Sequence, residues 1–191
     1  MLGFTMIELL IVISILGILA VAVLSAINPV EQINRGRDTG SRSDAEQLLS
    51  ALDRYNASQG YFAWITGPTA LSFALAWTDV NEDSWTVSGD ATCPVLTRLG
   101  STESVQAGCV NTDELKSSFA TRISPVSYNT LHIYNSGDTG ASTYVCFKPL
   151  SKAFAAEAAT RVAGDLPDDY PADAVANTTD CGPAGNCICL P

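Results

Sequence analysis

The sequence is poor in positive charge. Its 191 residues include 10 Lys and Arg against 20 Asp and Glu, which gives a formal net charge of −10 and a pI near 4.3. Proteins that bind nucleic acid need a basic face to contact phosphate groups. The composition therefore argues against a nucleic-acid site. Four of the ten basic residues also lie close together, so the remaining chain is more acidic still: Arg35, Arg37, Arg42 and Arg54.

Histidine is scarcer, and the residue patterns of common catalytic sites are missing. His132 is the only histidine, and no Ser and Asp pattern around it predicts a catalytic triad. There is no glycine-rich phosphate loop, and Cys181, Cys187 and Cys189 lack the paired C-x-x-C spacing of zinc sites. We therefore predict that the protein is not an enzyme and has no metal site and no cofactor.

The first residues lack charge almost entirely. No Lys or Arg precedes Arg35, and Glu8 is the only ionisable side chain between Phe4 and Ile27. This run exceeds the roughly 20 residues that a helix needs to cross a bilayer. A cleavable secretory signal would need a basic start and a shorter apolar core. A plain membrane anchor would leave Glu8 unexplained, since an acidic group in a membrane helix costs about 2.5–3.5 kcal/mol.

Cysteine is absent from the apolar run and from everything else before Cys93. All six cysteines lie between Cys93 and Cys189, which predicts disulfides in an oxidising compartment, with the N-terminus inside the cell and the globular part outside. Fifteen pairings are open. Proximity in sequence favours Cys93 with Cys109. Cys146 is expected to pair with Cys181, Cys187 or Cys189, which would tie the tail to the predicted sheet, and the last two cysteines would then pair with each other.

The N-terminal residues carry a specific pattern. The order Gly3-Phe4-Thr5-Met6-Ile7-Glu8, followed by an unbroken apolar stretch, resembles the GFT-x-x-E signature of type IV pilins and pseudopilins. The block from Ile27 to Phe62 also resembles pilins, with Asn-Pro, an Arg-rich turn and an amphipathic helix. The resemblance covers about the first third of the chain, and nothing beyond Phe62 resembles a known family.

The resemblance implies a processing and an assembly step. A prepilin peptidase cuts after Gly3, and the new N-terminal residue, Phe4, is N-methylated. Glu8 then meets the N-terminal amine of a neighbouring subunit, where opposite charges in a low-dielectric helix bundle attract strongly and favour one axial register. The leader would be residues 1–3, which have no basic residue, whereas leaders of the family usually have one.

We expect one long helix from Phe4 to about Asn56, hydrophobic all round in its first half and amphipathic from Val30 to Ser58. Gly17 and Pro29 are the predicted points of helix distortion, because Gly weakens a helix and Pro removes a backbone hydrogen bond.

The amphipathic half has two features of its own. Glu31 with Arg35 and Asp38 with Arg42 are predicted ion pairs on its solvated face. Two glycines four residues apart permit two interpretations: close approach of a neighbouring helix, or a helix break followed by a Ser-x-x-Glu capping box. The residues concerned are Gly36, Gly40, Ser43 and Glu46.

Beyond the helix, the chain has short apolar segments and many turns, which predict a small antiparallel sheet. The clearest strands are Thr130–Tyr134 and Ser142–Lys148, forming a hairpin with one apolar face. Ser151 is expected to cap a helix from Lys152 to about Ala163, and the tail from Asp165 is expected to be loop. The predicted fold class is α+β: the type IV pilin fold, with a long N-terminal helix on a disulfide-tied head.

Several residues have both a functional and a structural interpretation. The tryptophans are a recognition surface or, as we expect, core and interface side chains: Trp64, Trp77 and Trp85. The carboxylates of the tail are a calcium site or, as we expect, a solvated loop: Asp165, Asp168, Asp169 and Asp173. Asn56 and Asn177 fit the acceptor pattern for N-glycosylation.

These predictions divide the chain into a leader (1–3), an apolar helix half (4–29), an amphipathic half (30–58) and an extracellular head (59–191). The expected function is that of a major pilin, which moves from the cytoplasmic membrane into an extracellular filament of identical subunits for adhesion, motility or DNA uptake. Expected partners are further copies of the chain, a prepilin peptidase and the pilus assembly machinery. The alternatives are a pseudopilin of a type II secretion system and a single-span membrane protein with an extracytoplasmic binding domain.

Overall fold

The chain begins with two consecutive helices. A computed structural model describes residues 3–26, 28–70, 72–100, 109, 111–124 and 129–191. Helix α1 is Met6–Ala26 and helix α2 is Pro29–Gln59, so the long N-terminal helical segment is present as two helices rather than one. Asn28 has extended backbone (φ −87°, ψ 96°), and its side chain accepts a hydrogen bond from the N–H of Glu31. Pro29 stands at the first helical position, where its missing N–H costs nothing.

Helix α2 continues through both of its glycines without interruption. Gly36 and Gly40 lie inside it, so the predicted helix break with a capping box is wrong. The helix ends at Gly60, whose φ of 78° is left-handed and whose N–H bonds the carbonyl of Asn56. One face of α2 is buried in the head: Asp38, Ser41, Asp44, Ala45, Leu48, Ala51, Leu52 and Tyr55.

The head contains a four-stranded antiparallel sheet in the order β1-β4-β5-β6. Its strands are Leu75–Asp79, Leu131–Asn135, Thr143–Phe147 and Ile188–Leu190, and a separate two-stranded ribbon joins β2, Thr86–Val87, to β3, Asp90–Pro94. The predicted hairpin is therefore confirmed. The predicted loop tail is wrong at its end, because β6 pairs with β5 through Cys146 opposite Cys189.

Three short helices complete the head, together with a 3-10 turn at Ala172–Ala174. They are α3, Val95–Leu99, α4, Ser117–Ile123, and α5, Lys152–Val162. Ser151 caps α5 by accepting from the N–H of Phe154, as the sequence predicted.

The sheet is covered on both faces. Leu131, Ile133, Val145 and Phe147 belong to the main core, together with the buried face of α2 and with Trp64 and Trp85. The sequence pattern predicts a hairpin with a single apolar face. The alternate residues of β5 instead join a second cluster, which consists of Tyr144, Cys146, Ala174, Cys181, Cys187 and Cys189.

Three disulfides link the second half of the chain. They join Cys93 to Cys109, Cys146 to Cys189, and Cys181 to Cys187. The first is the pairing that proximity favoured, and the second ties the hairpin to the tail. A small head gains most from such links, because each one limits the freedom of the unfolded chain.

Candidate functional site at the N-terminal helix

The first turn of α1 is closed by a reciprocal pair of side chains. The backbone N–H and the hydroxyl of Thr5 donate to Oε2 of Glu8 at 3.0 and 2.7 Å, and the N–H of Glu8 points back to Oγ1 of Thr5 at 3.3 Å. This is a capping box, in which two side chains satisfy backbone groups that the helix leaves unpaired. Its sequence signal is Thr followed three residues later by Glu.

The capping box sets the position of the Glu8 carboxylate. Both donors of Thr5 end on Oε2, and among the described residues no donor reaches Oε1. The carboxylate therefore lies at the N-terminal end of the apolar helix with one oxygen held and one free to accept from another chain.

The predicted cleavage position precedes the helix. Gly3 and Phe4 lie outside α1, and Phe4 is 83% exposed. A Cβ atom added to Gly3 would have no other atom within 4 Å apart from its chain neighbours. Exposed chain ends without regular structure are the segments that proteases reach most easily. The other two residues of the predicted leader, Met1 and Leu2, lie outside the described residues.

The surface of α1 is apolar and unburied. Its span Met6–Ser25 has a mean hydropathy of 2.9 and is 0% buried within the chain. The exposed fractions of its large apolar side chains range from 46% at Val12 to 87% at Met6. At 1.5 Å per residue a span of this length reaches about 30 Å, the thickness of the hydrocarbon core of a membrane.

The polar groups inside the span are satisfied within the helix. Ser14 donates to the carbonyl of Leu10, and Ser25 donates to the carbonyl of Ala22. Gly17 lies within α1, and its backbone is accessible from outside the helix. A Cβ atom added there would have no other atom within 4 Å apart from the helix's own backbone. Glu8 is thus the one charged group that this surface offers to its surroundings.

Helix α2 is fastened to the head by polar side chains rather than by apolar packing alone. Asp38, which is fully buried, accepts from the N–H of Leu150 at 2.9 Å and from the N–H of Ser151 at 2.8 Å. Glu31 accepts from the N–H of Lys152 at 3.0 Å, and Asn34 donates to the carbonyl of Leu150. Three residues of α2 thus hold the start of α5.

This arrangement changes one predicted ion pair. Glu31 and Arg35 approach to 3.6 Å as expected. Asp38 and Arg42 do not pair, because Asp38 binds backbone N–H groups and Arg42 pairs with Glu157. The charge pattern of α2 gave no sign that Asp38 would be buried against the start of α5.

The tail carboxylates do not converge as a metal site. Among the described residues, no group of three His, Cys, Asp or Glu side chains could hold a metal ion. Asp169 accepts from the N–H of Ser142 and from the hydroxyl of Tyr144, and the backbone hydrogen bond in particular lowers the pKa of Asp169. Burial, with the hydrogen bond to Asp169, raises the pKa of Tyr144.

The remaining predicted residues have structural partners. His132 is buried, lies 2.9 Å from Asp79 and stacks on Trp77 with ring centroids 4.8 Å apart. The amide of Asn177 bonds Asp180, while its oxygen accepts from the N–H groups of Thr179 and Asp180. Asn56, the other predicted acceptor, lies on α2.

Comparison with known proteins bears on the same segment. Residues 2–24 match the family model of the prokaryotic N-terminal methylation motif, which is characteristic of the prepilin-type signal of type IV pilins and pseudopilins. The motif implies processing by a prepilin peptidase and assembly into pili or pseudopili. The fold, with its long N-terminal helical segment, antiparallel sheet and disulfides, is consistent with the type IV pilin fold. No curated protein and no solved structure matches the chain.

Proposed function

We propose that this chain is a major pilin, a structural subunit that polymerises through α1 into an extracellular filament. The observation that carries the proposal is the surface of α1, which is apolar all round, unburied within the chain, and charged only at Glu8. Such a surface can be covered either by lipid or by copies of itself. The methylation motif at residues 2–24 supports the second environment as the final one.

The geometry of Glu8 suits a contact between subunits. Cleavage after Gly3 would create a positive amine at Phe4, one residue before the Thr5 cap. An amine of a neighbouring copy that reached Oε1 of Glu8 would neutralise a charge that is costly in an apolar bundle. Because the pair forms at one relative height only, it would also set the stagger between subunits.

Features of the head support a pilin exposed outside the cell rather than a short periplasmic pseudopilin. The three disulfides lie in the head, and two of them hold the tail. These links resist the unfolding that shear and proteolysis would exploit. Adhesion, motility and DNA uptake are the roles that such a filament would serve.

Filaments sheared from cells and imaged by electron microscopy test the proposal. We expect fibres in which mass spectrometry identifies this chain as the main component, beginning with N-methylated Phe4. Recovery of the chain only in the membrane fraction would contradict the major-pilin assignment. A mature chain beginning at Met1 would contradict the assigned processing.

A further inference from the structure

A groove lies between α2 and α4 on the main-core side of the sheet. It has a volume of about 590 Å³. The residues that give it its character are Ser50, Arg54, Glu114, Lys116, Phe119 and Arg122. Phe119 is largely buried and forms an apolar wall, and the guanidinium of Arg122 lies 5.2 Å from the centre of its ring.

The lining of the groove has more cations than carboxylates, in a protein that is acidic overall. It holds three of the chain's 10 Lys and Arg residues. Arg54 pairs with Glu114 at 2.8 Å, and Arg122 pairs with Asp44, whose pKa is raised by burial. Among the described residues, no carboxylate lies within ion-pair distance of Lys116. Of the three cations in the groove, Lys116 is therefore the one without an ion-pair partner among the described residues.

The opposite charge is concentrated in the tail. No Lys or Arg follows Arg161, whereas five Asp residues do. Four of them lie in Asp165–Asp173, which we call the acidic loop. Asp165, Asp168 and Asp173 are exposed, and the exposed Pro167 lies among them.

The acidic loop is held in shape before any partner arrives. Asp169 is bonded to Ser142 and Tyr144, and the N–H of Tyr170 bonds the carbonyl of Pro167 at 3.0 Å. A loop that is already ordered loses little conformational entropy on binding. Its mixture of carboxylates and proline complements a groove with cationic edges and a phenylalanine wall.

The two surfaces lie on different sides of the head. Phe119 of α4 belongs to the main core, on the face of the sheet that α2 covers. The tail covers the other face, where Tyr144 packs with Ala174 and Cys181. One copy therefore cannot place its acidic loop in its own groove. A contact between unlike surfaces of identical subunits can continue from copy to copy, and it builds an open fibre where the rotation between copies does not close a ring.

We propose that the groove between α2 and α4 binds the acidic loop of the next copy, and that this contact joins neighbouring heads. The inference rests on the proposed function, because it requires copies arranged side by side on their α1 helices. It adds a second, electrostatic contact to the apolar one. A chain with a net charge of −10 otherwise brings heads together against their mutual repulsion.

Carbodiimide coupling, which joins a lysine amine directly to a carboxylate, tests this on wild-type filaments. The chain has three lysines, Lys116, Lys148 and Lys152. We expect covalent dimers in which mass spectrometry finds Lys116 joined to an Asp of the acidic loop. Lys152 is the internal control, because it is exposed but lies outside the groove and should not be joined to the acidic loop. Dimers that lack the Lys116 link would overturn the inference.

Charge reversal provides the second test. Lys116→Glu is expected to lower the yield of sheared filaments at least fivefold, and Asp168→Lys in the same chain is expected to restore much of it. Lys152→Glu is the matched control, since this exposed lysine lies outside the groove. Normal yield from Lys116→Glu, with wild-type filaments present, would overturn the groove contact alone. Absence of wild-type filaments would overturn it together with the proposed function.

Discussion

Helices α1 and α2 are neighbours in sequence with opposite relations to the rest of the molecule. The span Met6–Ser25 of α1 is 0% buried, whereas α2 buries eight residues against the sheet and α5. The cause is composition. The span has one charged residue, Glu8, whereas α2 has an apolar face on one side and charged residues on the other. The chain itself therefore fixes α2, and its surroundings must fix α1.

The boundary between the two helices coincides with Asn28 and Pro29. Pro29 cannot donate a backbone hydrogen bond to the preceding helix, and the Asn28 side chain starts a new helix by accepting from Glu31. The boundary between the two helices thus coincides with the change from an unburied apolar helix to a helix that packs on the head. The comparison predicts that substitutions in α1 alter assembly and leave the head folded, and that substitutions around α2 do the reverse.

The largest expected effect is on the α1 side. Glu8→Gln keeps the shape of the side chain and the cap with Thr5 but removes the charge that would pair with a neighbouring amine. We expect membrane insertion to persist, because loss of a charge makes the span less costly in lipid. We expect filament yield, measured by shearing and immunoblotting, to fall at least tenfold.

Ser14→Ala is the matched control for Glu8→Gln. Ser14 is also polar and lies in the same span, but its hydroxyl bonds only the carbonyl of Leu10. Its loss should leave filament yield within twofold of wild type. Equal yields from Glu8→Gln and wild type would remove the assembly role assigned to Glu8.

The next effect belongs to the head. Replacing Cys146 and Cys189 by Ala opens a loop with a sequence separation of 43, and replacing Cys181 and Cys187 opens one of 6. Chain entropy predicts losses of about 4 and about 2 kcal/mol. Thermal unfolding of the full chain in detergent, followed by circular dichroism, should show the larger drop for the first pair.

The same disulfide variants sharpen the comparison between the helices. Membrane fractionation should still recover both variants, because α1 makes no use of the head to enter lipid. Loss of either variant from the membrane before the head unfolds would mean that the two regions are not independent.

An effect between those of the two disulfides is expected where α2 meets α5. Asp38→Ala removes the acceptor of two backbone N–H groups, at Leu150 and Ser151, in a buried position. Hydrogen bonds to a charged group are each worth roughly 1.5–3 kcal/mol, so we expect the free energy of unfolding to fall by about 3 kcal/mol. Asp53→Ala, on the exposed side of the same helix, should change it by less than about 0.5 kcal/mol. Similar results for both variants would show that the hydrogen bonds of Asp38 do not hold the head on α2.

The sequence predicted those features that local patterns determine. The span, the hairpin around Ile133 and Val145, and the helix capped by Ser151 each depend on periodicity or on a capping residue within a few positions. The Thr5 cap on Glu8 was not predicted, although its Thr-x-x-Glu pattern is equally local; the structure shows it as three hydrogen bonds.

Features that depend on distant parts of the chain were missed. Arg98 is a buried cation, and it is held by the carbonyls of Ala63 and Ile65 and by the hydroxyl of Tyr61. Composition assigns arginine to the surface, and no local pattern reveals those acceptors. Strand β6 was missed for the same reason, since three residues near the chain end become a strand only by pairing with β5.

The smallest expected effect concerns Asp169, which joins the tail to the hairpin. Hydrogen bonds from the N–H of Ser142 and from Tyr144 lower its pKa in the folded chain, below the value of about 3.9 that an unperturbed Asp has. The folded state therefore binds that proton less tightly than the unfolded state does. The resulting stability is present above about pH 4 and is lost as the pH falls through the folded pKa.

Asp169→Asn should accordingly be less stable than wild type at neutral pH, and thermal unfolding should show the difference narrowing once the pH falls below the unperturbed pKa of Asp. Asp138→Asn, exposed in the hairpin turn, is the control that should show no such convergence. A difference between Asp169→Asn and wild type that stayed constant from neutral pH down into the acid range would mean that the Asp169 charge does not hold the tail.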